Sequence, residues 1–364
     1  MLRATIPRKR ESLMVHPGLA WNAEPPAGEL RQHLVTPTDL FFVRNHGGVP
    51  DVDLASYSLA VGGAVKRELH LSMAQVRDRF PRVELCATLE CAGNRRRELA
   101  EIRPTPGEVL WDQGAIGTAL WRGVLLRDVL EAAGVDEAAR HVAFTGMDRV
   151  DMAEGPATVG GSVPIEKALS DEVILAYEMN GSPLAAVHGF PLRVVVPGFI
   201  GARSVKWLQA ITLQREPSNN YFQRHAYKLF PPSATACNVD WSKGEVLTRL
   251  ALNSVICLPR DGEVVQAGEV LVQGYAISGV SKIERVEVSV DNEHGWVTGC
   301  LQEGQGPWTW RFWDASLQLE PGPHRLVARA WDALGNTTPA DAAERWNFKG
   351  YVNNAWHRVR VYAY

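Results

Sequence analysis

The chain has 364 residues, of which 46% are hydrophobic and 22% are charged, and its formal net charge is −3 at pH 7. This length exceeds what one hydrophobic core usually supports, so we predict a globular protein of two domains. The small net charge provides no overall field that would favour binding to nucleic acid or to an anionic membrane surface. No apolar run approaches the roughly 18–20 residues that a membrane-spanning helix needs.

The first half of the chain mixes helical and strand patterns. Ser72 precedes an amphipathic segment and predicts an N-cap with a short helix. Leu125–Ala133, followed by Gly134, predicts a second helix with a glycine at its end. Leu192–Val196 reads as an apolar strand that runs into a Pro-Gly turn. We therefore predict a mixed α/β catalytic domain over residues 1–240, with a site built from loops.

From about residue 245 the pattern changes to short β-type runs separated by turn signals. Three such runs are Val270–Gly274, Val286–Val290 and Leu326–Trp331. Short strands with regular turns and no helical period predict an antiparallel β-sandwich over residues 241–364. The fold class of the whole chain is then α+β.

The five cysteines are an odd number without a repeated spacing, at Cys86, Cys91, Cys237, Cys257 and Cys300. Neither a disulfide framework nor a structural zinc site is expected from this pattern. Apart from Cys91, they are expected to be buried small hydrophobic side chains. The basic stretch at residues 8–10 is not followed by the apolar core of a secretory signal. We expect a cytoplasmic protein, or a periplasmic one only if a presequence has been removed.

The most informative stretch, residues 89–97, reads Leu-Glu-Cys-Ala-Gly-Asn-Arg-Arg-Arg. Positive charge beside the thiol of Cys91 favours its thiolate form, which suits nucleophilic or metal-ligand chemistry. Guanidinium groups match the oxygens of small anions bidentately. The combination indicates a metal centre that acts on a small oxyanion.

Other segments are ambiguous when each is taken alone. Arg44, Asn45 and His46 suit a strand end facing water as well as they suit a site. The loop Gly198–Lys206 has glycines and a lysine, but it lacks the spacing of a phosphate-binding P-loop. Asp148 is compatible with a simple turn.

Seven motifs occur in an order that closely resembles the sulfite oxidase family of molybdenum enzymes. They are Phe-Phe-x-Arg-Asn-His at 41–46, Cys-Ala-Gly-Asn-Arg-Arg at 91–96, Gly-Ala-Ile-Gly-Thr-Ala-x-Trp at 114–121, Ala-Tyr-Glu-Met-Asn-Gly at 176–181, His-Gly-Phe-Pro-x-Arg-Val-Val-Val-Pro-Gly at 188–198, Gly-Ala-Arg-x-Val-Lys-Trp at 201–207, and Asn-Ala-Trp-His-Arg-Val at 354–359. The resemblance runs from about Phe41 to Val361.

The resemblance implies a molybdenum ion bound by one molybdopterin (a Mo-pyranopterin centre) and by a single protein ligand, Cys91. The positions that match those holding the pterin and its phosphate are Phe42, Val43, Arg44, Asn45, His46, Asp148, His188, Arg193, Ser204, Val205 and Lys206. The positions that match the substrate pocket are Arg44, Arg96, Trp111 and Tyr227. The second domain matches an immunoglobulin-like (Ig-like) sandwich through which members usually form homodimers.

The implied activity is oxidation of sulfite to sulfate by oxygen-atom transfer, with electrons passed to oxygen or to a separate cytochrome. The sequence shows no Cys-x-x-Cys-His site and no cytochrome b5-like or flavin domain, so we expect neither haem nor flavin. Lys349 stands where the family commonly places an arginine, and we expect its side chain in the same anion pocket. The alternatives are a nitrate-reductase-like oxyanion reductase at the same type of centre, and a non-catalytic Ig-containing binding protein.

Overall fold

The computed structural model describes residues 9–152, 155–291 and 294–364. The helices of the first half are short: α1 (Ala27–Leu30), α2 (Met73–Arg79), α3 (Arg96–Ile102), α4 (Leu126–Ala133) and α5 (Ile165–Ala168). Its strands are β1 (Met14–His16), β2 (Asn22–Glu24), β3 (Leu59–Gly63), β4 (Leu69–Leu71), β5 (Arg82–Glu90), β6 (Ile116–Leu125), β7 (His141–Met152), β8 (Gly155–Pro164), β9 (Ile174–Met179), β10 (Ser182–Pro183), β11 (Arg193–Val195), β12 (Leu208–Gln214), β13 (Lys228–Leu229) and β14 (Glu245–Val246).

Two five-stranded sheets organise the first half. One has the order β10-β9-β6-β5, with β11 also paired to β9, and the other has the order β4-β3-β12-β7-β8. The second sheet is mixed, because β12 runs parallel to β3 and antiparallel to β7. Helix α4 buries its apolar face in the core of this half, through Leu126, Val129, Leu130 and Ala133. The mixed α/β prediction is confirmed.

The local helix signals proved accurate. Helix α2 begins after Ser72, whose hydroxyl accepts from the backbone of Gln75 while the Gln75 side chain accepts from the backbone of Ser72. This reciprocal pair is a capping box. Helix α4 ends at Gly134, which has a φ of +75°. A glycine is favoured there because L side chains rarely adopt that conformation.

The second half is a β-sandwich. Its strands are β15 (Asn253–Leu258), β16 (Glu263–Val265), β17 (Gly268–Ile277), β18 (Ile283–Val290), β19 (His294–Thr298), β20 (Cys300–Leu301), β21 (Arg311–Leu319), β22 (Gly322–Asp332) and β23 (His357–Ala363). They form one sheet of order β15-β17-β21-β20 and another of order β16-β23-β22-β18-β19. The predicted antiparallel sandwich is confirmed, with one exception among the described strand pairs, because β16 runs parallel to β23. The tight turn at Asp261 and Gly262 is bonded to Arg360 and sets β16 beside β23 in the same direction.

Two of the cysteine expectations fail. Cys257 is buried and Cys86 is half-buried, but Cys237 and Cys300 are exposed. Cys300 is exposed because it lies on β20, at one edge of its sheet. In the described ranges no helix is long and apolar enough to cross a membrane.

The side chains of the three consecutive arginines after Asn94 point in different directions. Arg95 is fully buried and donates to both oxygens of Glu98 at 2.8 and 2.6 Å. It also donates to the side chain of Asn253 at 2.7 Å and to the carbonyl of Ala355 at 2.9 Å. Arg95 therefore ties the loop after Cys91 to the second half of the chain. Arg97 instead pairs with Asp112 near the surface.

Replacing Arg95 should destabilise the fold. Arg95→Gln leaves the half-buried Glu98 carboxylate without its main charged partner, and loss of a hydrogen-bonded charge of this kind typically costs about 1.5–3 kcal/mol. Urea unfolding would measure the loss. Arg97→Gln is the matched control, because a partly exposed pair contributes at most about 1 kcal/mol. Equal losses in the two variants would contradict the structural role of Arg95.

Candidate active site

A cavity lies at the end of β5 and gathers most of the predicted site residues; its empty space is about 700 Å³ when the part open to solvent is included. Those that line it are Phe42, Arg44, His46, Cys91, Asp148, His188, Arg193, Ser204, Val205, Lys206 and Tyr227. They come from segments that are far apart in the sequence, so the ordered motifs converge on one place. The sequence reasoning did not single out several apolar residues of the lining, among them Leu89, Val159 and Val187.

Cys91 is the first residue after β5, and its side chain is buried in the wall of the cavity. Its backbone N–H donates to the carbonyl of Ala115 at 2.9 Å, and its carbonyl accepts from the backbone of Asn94 at 2.9 Å. The backbone N–H of Gly93 lies 3.4 Å from the sulfur. The turn therefore fixes the position of the sulfur in the wall of the cavity. Within the described ranges no three His, Cys, Asp or Glu side chains form a metal-binding group.

A group of cations forms one wall of the cavity. Lys206 donates to the carbonyls of Arg44 at 3.0 Å and Val187 at 2.9 Å, and also to the side chain of Asn45. Arg193 donates to the carbonyls of His188 and Ser204, each at 3.0 Å. Burial lowers the pKa of Arg193 to about 9, and burial together with the charge of Arg193 lowers the pKa of Lys206 well below its usual value. Such a cluster favours an anionic group in the cavity.

Asp148 is the carboxylate among the lining residues of this cavity. A register shift between β7 and β8, across Thr145 to Arg149, turns it inward. Its Oδ1 is buried and has no hydrogen-bond partner among the described residues. Burial raises its pKa to about 6. A buried polar atom without a partner is uncommon and indicates a missing ligand.

Lys9 is a site residue that the sequence reasoning missed. Its amine donates to the carbonyls of Thr38 at 2.5 Å and Phe41 at 2.7 Å, and lies 2.8 Å from Nε2 of His188. Burial lowers its pKa to about 7, although Asp39 opposes that shift. The basic stretch at residues 8–10 was considered only as a targeting signal, and no local pattern indicated its contact with residue 188.

Tyr227, His46 and Arg44 also line the cavity. The Tyr227 hydroxyl lies 2.9 Å from Nε2 of His46, and its ring stacks on Tyr351 with centroids 5.3 Å apart. Burial raises the pKa of Tyr227 to about 12, so its hydroxyl stays protonated at neutral pH. Burial and the charges of Arg44 and Lys206 lower the pKa of His46 well below its usual value, so the ring is neutral.

Four predicted residues lie behind the cavity lining or beside it. Val43 packs with Ala185 and Val187, and Asn45 accepts from Lys206. Trp111 is fully buried in the apolar cluster that contains Cys91, and its indole N–H has no partner in the described structure. Arg96 is buried and donates to the carbonyls of Val109 at 2.7 Å and Lys349 at 2.9 Å. Their roles toward a cofactor or substrate stay predictions.

Lys349 lies on a second, wider opening, which we call the outer cleft. Its lining includes Arg44, Glu108, Lys349 and Tyr351. Because Arg44 lines both the cavity and the outer cleft, the two spaces meet at its side chain. Lys349 pairs there with Glu108, which sequence reasoning did not single out. Whether Lys349 contacts a bound anion stays a prediction.

Comparisons with known proteins identify the family. Residues 46–222 match the oxidoreductase molybdopterin binding domain, and residues 245–364 match the Mo-co oxidoreductase dimerisation domain. The chain is 43% identical to sulfite oxidase of Gallus gallus over 94% of this chain and 78% of that protein. The chain belongs to the sulfite oxidase family. Sulfite oxidase of Arabidopsis thaliana is 39% identical over 97% of this chain and 94% of that protein.

Two further similar proteins have other activities in their names. The sulfane dehydrogenase SoxCD from Paracoccus pantotrophus has the same fold, with a TM-score of 0.79, 26% identity, and coverage of 96% of this chain and 87% of that one. A nitrate reductase of Hordeum vulgare is 38% identical over 94% of this chain, which spans 41% of that protein. The predicted family and fold class are confirmed. The predicted boundary at residue 240 lies between the two matched ranges and stays a prediction.

The residues of the cavity fit the cofactor that this family implies. Cys91 offers one soft thiolate, which is the type of ligand that suits a sulfur-ligated transition metal. The cations around Lys206 and Arg193 suit a phosphate, and the unpartnered oxygen of Asp148 suits an N–H donor of a pterin. Molybdenum and molybdopterin therefore have donors of the right kinds on this chain.

The buried cations predict how the stability of the cofactor-free protein depends on pH. The pKa of Lys9 is about 7 in the folded chain and near 10.5 when unfolded, so the unfolded chain binds more protons between these values. Stability of the cofactor-free protein should therefore rise from pH 7 to pH 9, and Lys206 contributes in the same direction. The loaded protein should show a smaller rise, because a bound phosphate favours the charged amines.

Thermal unfolding at several pH values would measure this dependence. In the cofactor-free state, Lys9→Met should flatten the rise in Tm. Lys243→Met is the matched control, because its side chain is 81% exposed. An unchanged slope in Lys9→Met would contradict the assignment of the pH dependence to the buried amine.

Proposed function

We propose that this protein is a molybdenum-dependent enzyme that oxidises sulfite to sulfate. The observation that carries the proposal is the shared cavity of Cys91, Arg44 and Tyr227. The cavity brings together a thiol suited to metal binding, a cation and a hydroxyl donor. Membership of the sulfite oxidase family supports the substrate.

The residues of the chain would bind and orient the anion. Arg44 stays charged, because although burial would lower its pKa, the neighbouring Tyr227 and Cys91 raise it. Its guanidinium is therefore suited to hold a sulfite oxygen. The protonated Tyr227 hydroxyl can donate to a second oxygen, and the neutral His46 beside it can accept one of the two protons that the net reaction releases from water.

The cofactor, when bound, supplies the transfer of an oxygen atom together with the uptake of two electrons. The net reaction converts sulfite and water into sulfate, two protons and two electrons. The buried ring of Trp111 and the apolar lining at Phe42 limit water around Cys91, which strengthens the electrostatic contacts of Arg44.

We also propose an oligomeric state, an electron acceptor and a compartment for the enzyme. Residues 245–364 match a dimerisation domain, which supports a homodimer. The electron acceptor is proposed to be oxygen or a separate cytochrome, and the compartment the cytoplasm. No haem or flavin is proposed for this chain. Reduction of nitrate is the second candidate, because the barley nitrate reductase is similar over most of this chain.

Metal analysis and one substitution test the proposed centre. We expect about one molybdenum per chain, as a single cysteine ligand implies. Cys91→Ser should abolish sulfite oxidation and leave the fold intact, because a hydroxyl is a poor substitute for a thiolate ligand. Sulfite with ferricyanide, and nitrate with a reduced dye, would separate the two candidate reactions.

The exposed Cys237 offers the matched control for this experiment. Cys237→Ser should keep full activity. Full sulfite turnover by Cys91→Ser would rule out the ligand assignment. Retained pterin would not contradict it, because many other contacts hold that group.

Lys349 should affect substrate binding more than turnover. If it lies within reach of the bound anion, Lys349→Ala should raise the KM for sulfite about tenfold, the order expected for loss of one nearby charge in a partly buried site. A cation that holds the ground and transition states equally changes KM rather than kcat. Lys349→Arg should restore binding, and steady-state kinetics would measure all three proteins. An unchanged KM in the alanine variant would place Lys349 outside the pocket.

A further inference from the structure

We infer that Glu108 sets the affinity of the anion site, because its carboxylate pairs with the cations of the outer cleft until a substrate anion replaces it. The inference rests on the proposed function, because it assumes that a small oxyanion enters past Arg44. Among charged residues of the anion pocket, the sequence motifs indicated only cations, and Glu108 adds a negative side chain to them.

A tight turn presents Glu108 to the outer cleft. The turn is Thr105-Pro106-Gly107-Glu108, in which the backbone N–H of Glu108 donates to the carbonyl of Thr105 at 3.3 Å. Gly107 has a φ of +80°. Proline at the second position and a glycine of positive φ at the third are typical of a type II turn. The next residue, Val109, accepts from Arg96 at 2.7 Å, so the turn is fixed to the wall of the site.

Both oxygens of the Glu108 carboxylate face cations. Oε1 pairs with the amine of Lys349, and Oε2 lies 3.6 Å from a terminal nitrogen of Arg96. The side chain of Glu108 is 16% exposed and that of Lys349 is 22% exposed, so the pair is shielded from water yet reachable. A carboxylate in this position occupies the same cations that a bound oxyanion would use.

The charge of Glu108 also affects the pKa values of Arg44 and Tyr227. Burial would lower the pKa of Arg44, and Glu108 is one of the groups that raise it, after Tyr227, Cys91 and Tyr351. Burial is the main reason that the pKa of Tyr227 is raised, and Glu108 adds to that shift. Glu108 therefore faces the anion path and not only Lys349.

The rival explanation is that Glu108 only positions Arg96. Arg96 is already bonded to three carbonyls, those of Val109, Lys349 and Gly350. Its distance to Glu108 is longer than any of these bonds. Lys349, in contrast, has a flexible stem and a compact charge, so its partner can be exchanged. Competition for Lys349 is thus the main effect expected of Glu108.

The test replaces the carboxylate with an amide of the same size. In Glu108→Gln, we expect the KM for sulfite and the inhibition constant of sulfate both to fall about fivefold, because the anion no longer competes with a fixed negative charge. The kcat should change less than the KM, since the effect is on binding. Glu101→Gln is the matched control, because it removes one carboxylate from an exposed position of α3. That variant should leave both constants unchanged.

A second background separates competition from positioning. In Lys349→Met, the additional change Glu108→Gln should have a much smaller effect on the inhibition constant of sulfate, because the cation for which Glu108 and the anion compete is absent. A higher KM in Glu108→Gln would mean that the residue positions Arg96, and an unchanged KM would mean that it lies outside the anion path. Either result overturns the inference.

Sulfate binding to the cofactor-loaded protein, measured by calorimetry, distinguishes this inference from the proposed function. If sulfite is not oxidised but sulfate binds more tightly to Glu108→Gln, the inference stands and the proposed substrate fails. If sulfite is oxidised and sulfate binds equally to both proteins, the proposed function stands and the inference fails.

Discussion

The accumulation of positive charge around one cavity is the constraint on which the rest of the site depends. Lys206, Arg193 and Lys9 are held close together by backbone carbonyls, while the carboxylate that lines the same space, Asp148, is itself largely desolvated. Like charges this close are costly unless an anion joins them. The fold tolerates the cost because its two sheets and its loops supply carbonyl acceptors from many directions. The cavity is therefore prepared for a ligand that completes its electrostatics.

Much of the fold could be predicted from local sequence, because local chemistry decides it. The cap at Ser72, the end of α4 at Gly134 and the alternation in β18 and β22 depend on neighbouring residues. The ordered motifs also identified the lining of the cavity. The parallel pairing of β16 was not predictable, because the direction of a strand at an edge depends on how the chain crosses between sheets.

The missed parts of the site depend on contacts between distant segments. Lys9 reaches His188 across 179 positions, and Glu108 reaches Lys349 across 241. No periodicity connects such residues. The three arginines after Asn94 show a different difficulty, because Arg95 has a left-handed backbone, with φ of +63°, and starts a helix. That conformation sends adjacent side chains in different directions, although the sequence suggests a single basic group.

The segment around residue 351 has a consequence for how the protein is made. Tyr351 stacks on Tyr227, and the backbone of Val352 donates to the carbonyl of Ala92, beside Cys91, at 2.7 Å. A ribosome makes the chain from its amino end, so Cys91 is synthesised some 260 residues before the segment around Tyr351 that packs against its loop. The wall of the site is thus complete only late in translation. A cofactor that needs this wall for binding would therefore enter the finished fold and not a nascent domain.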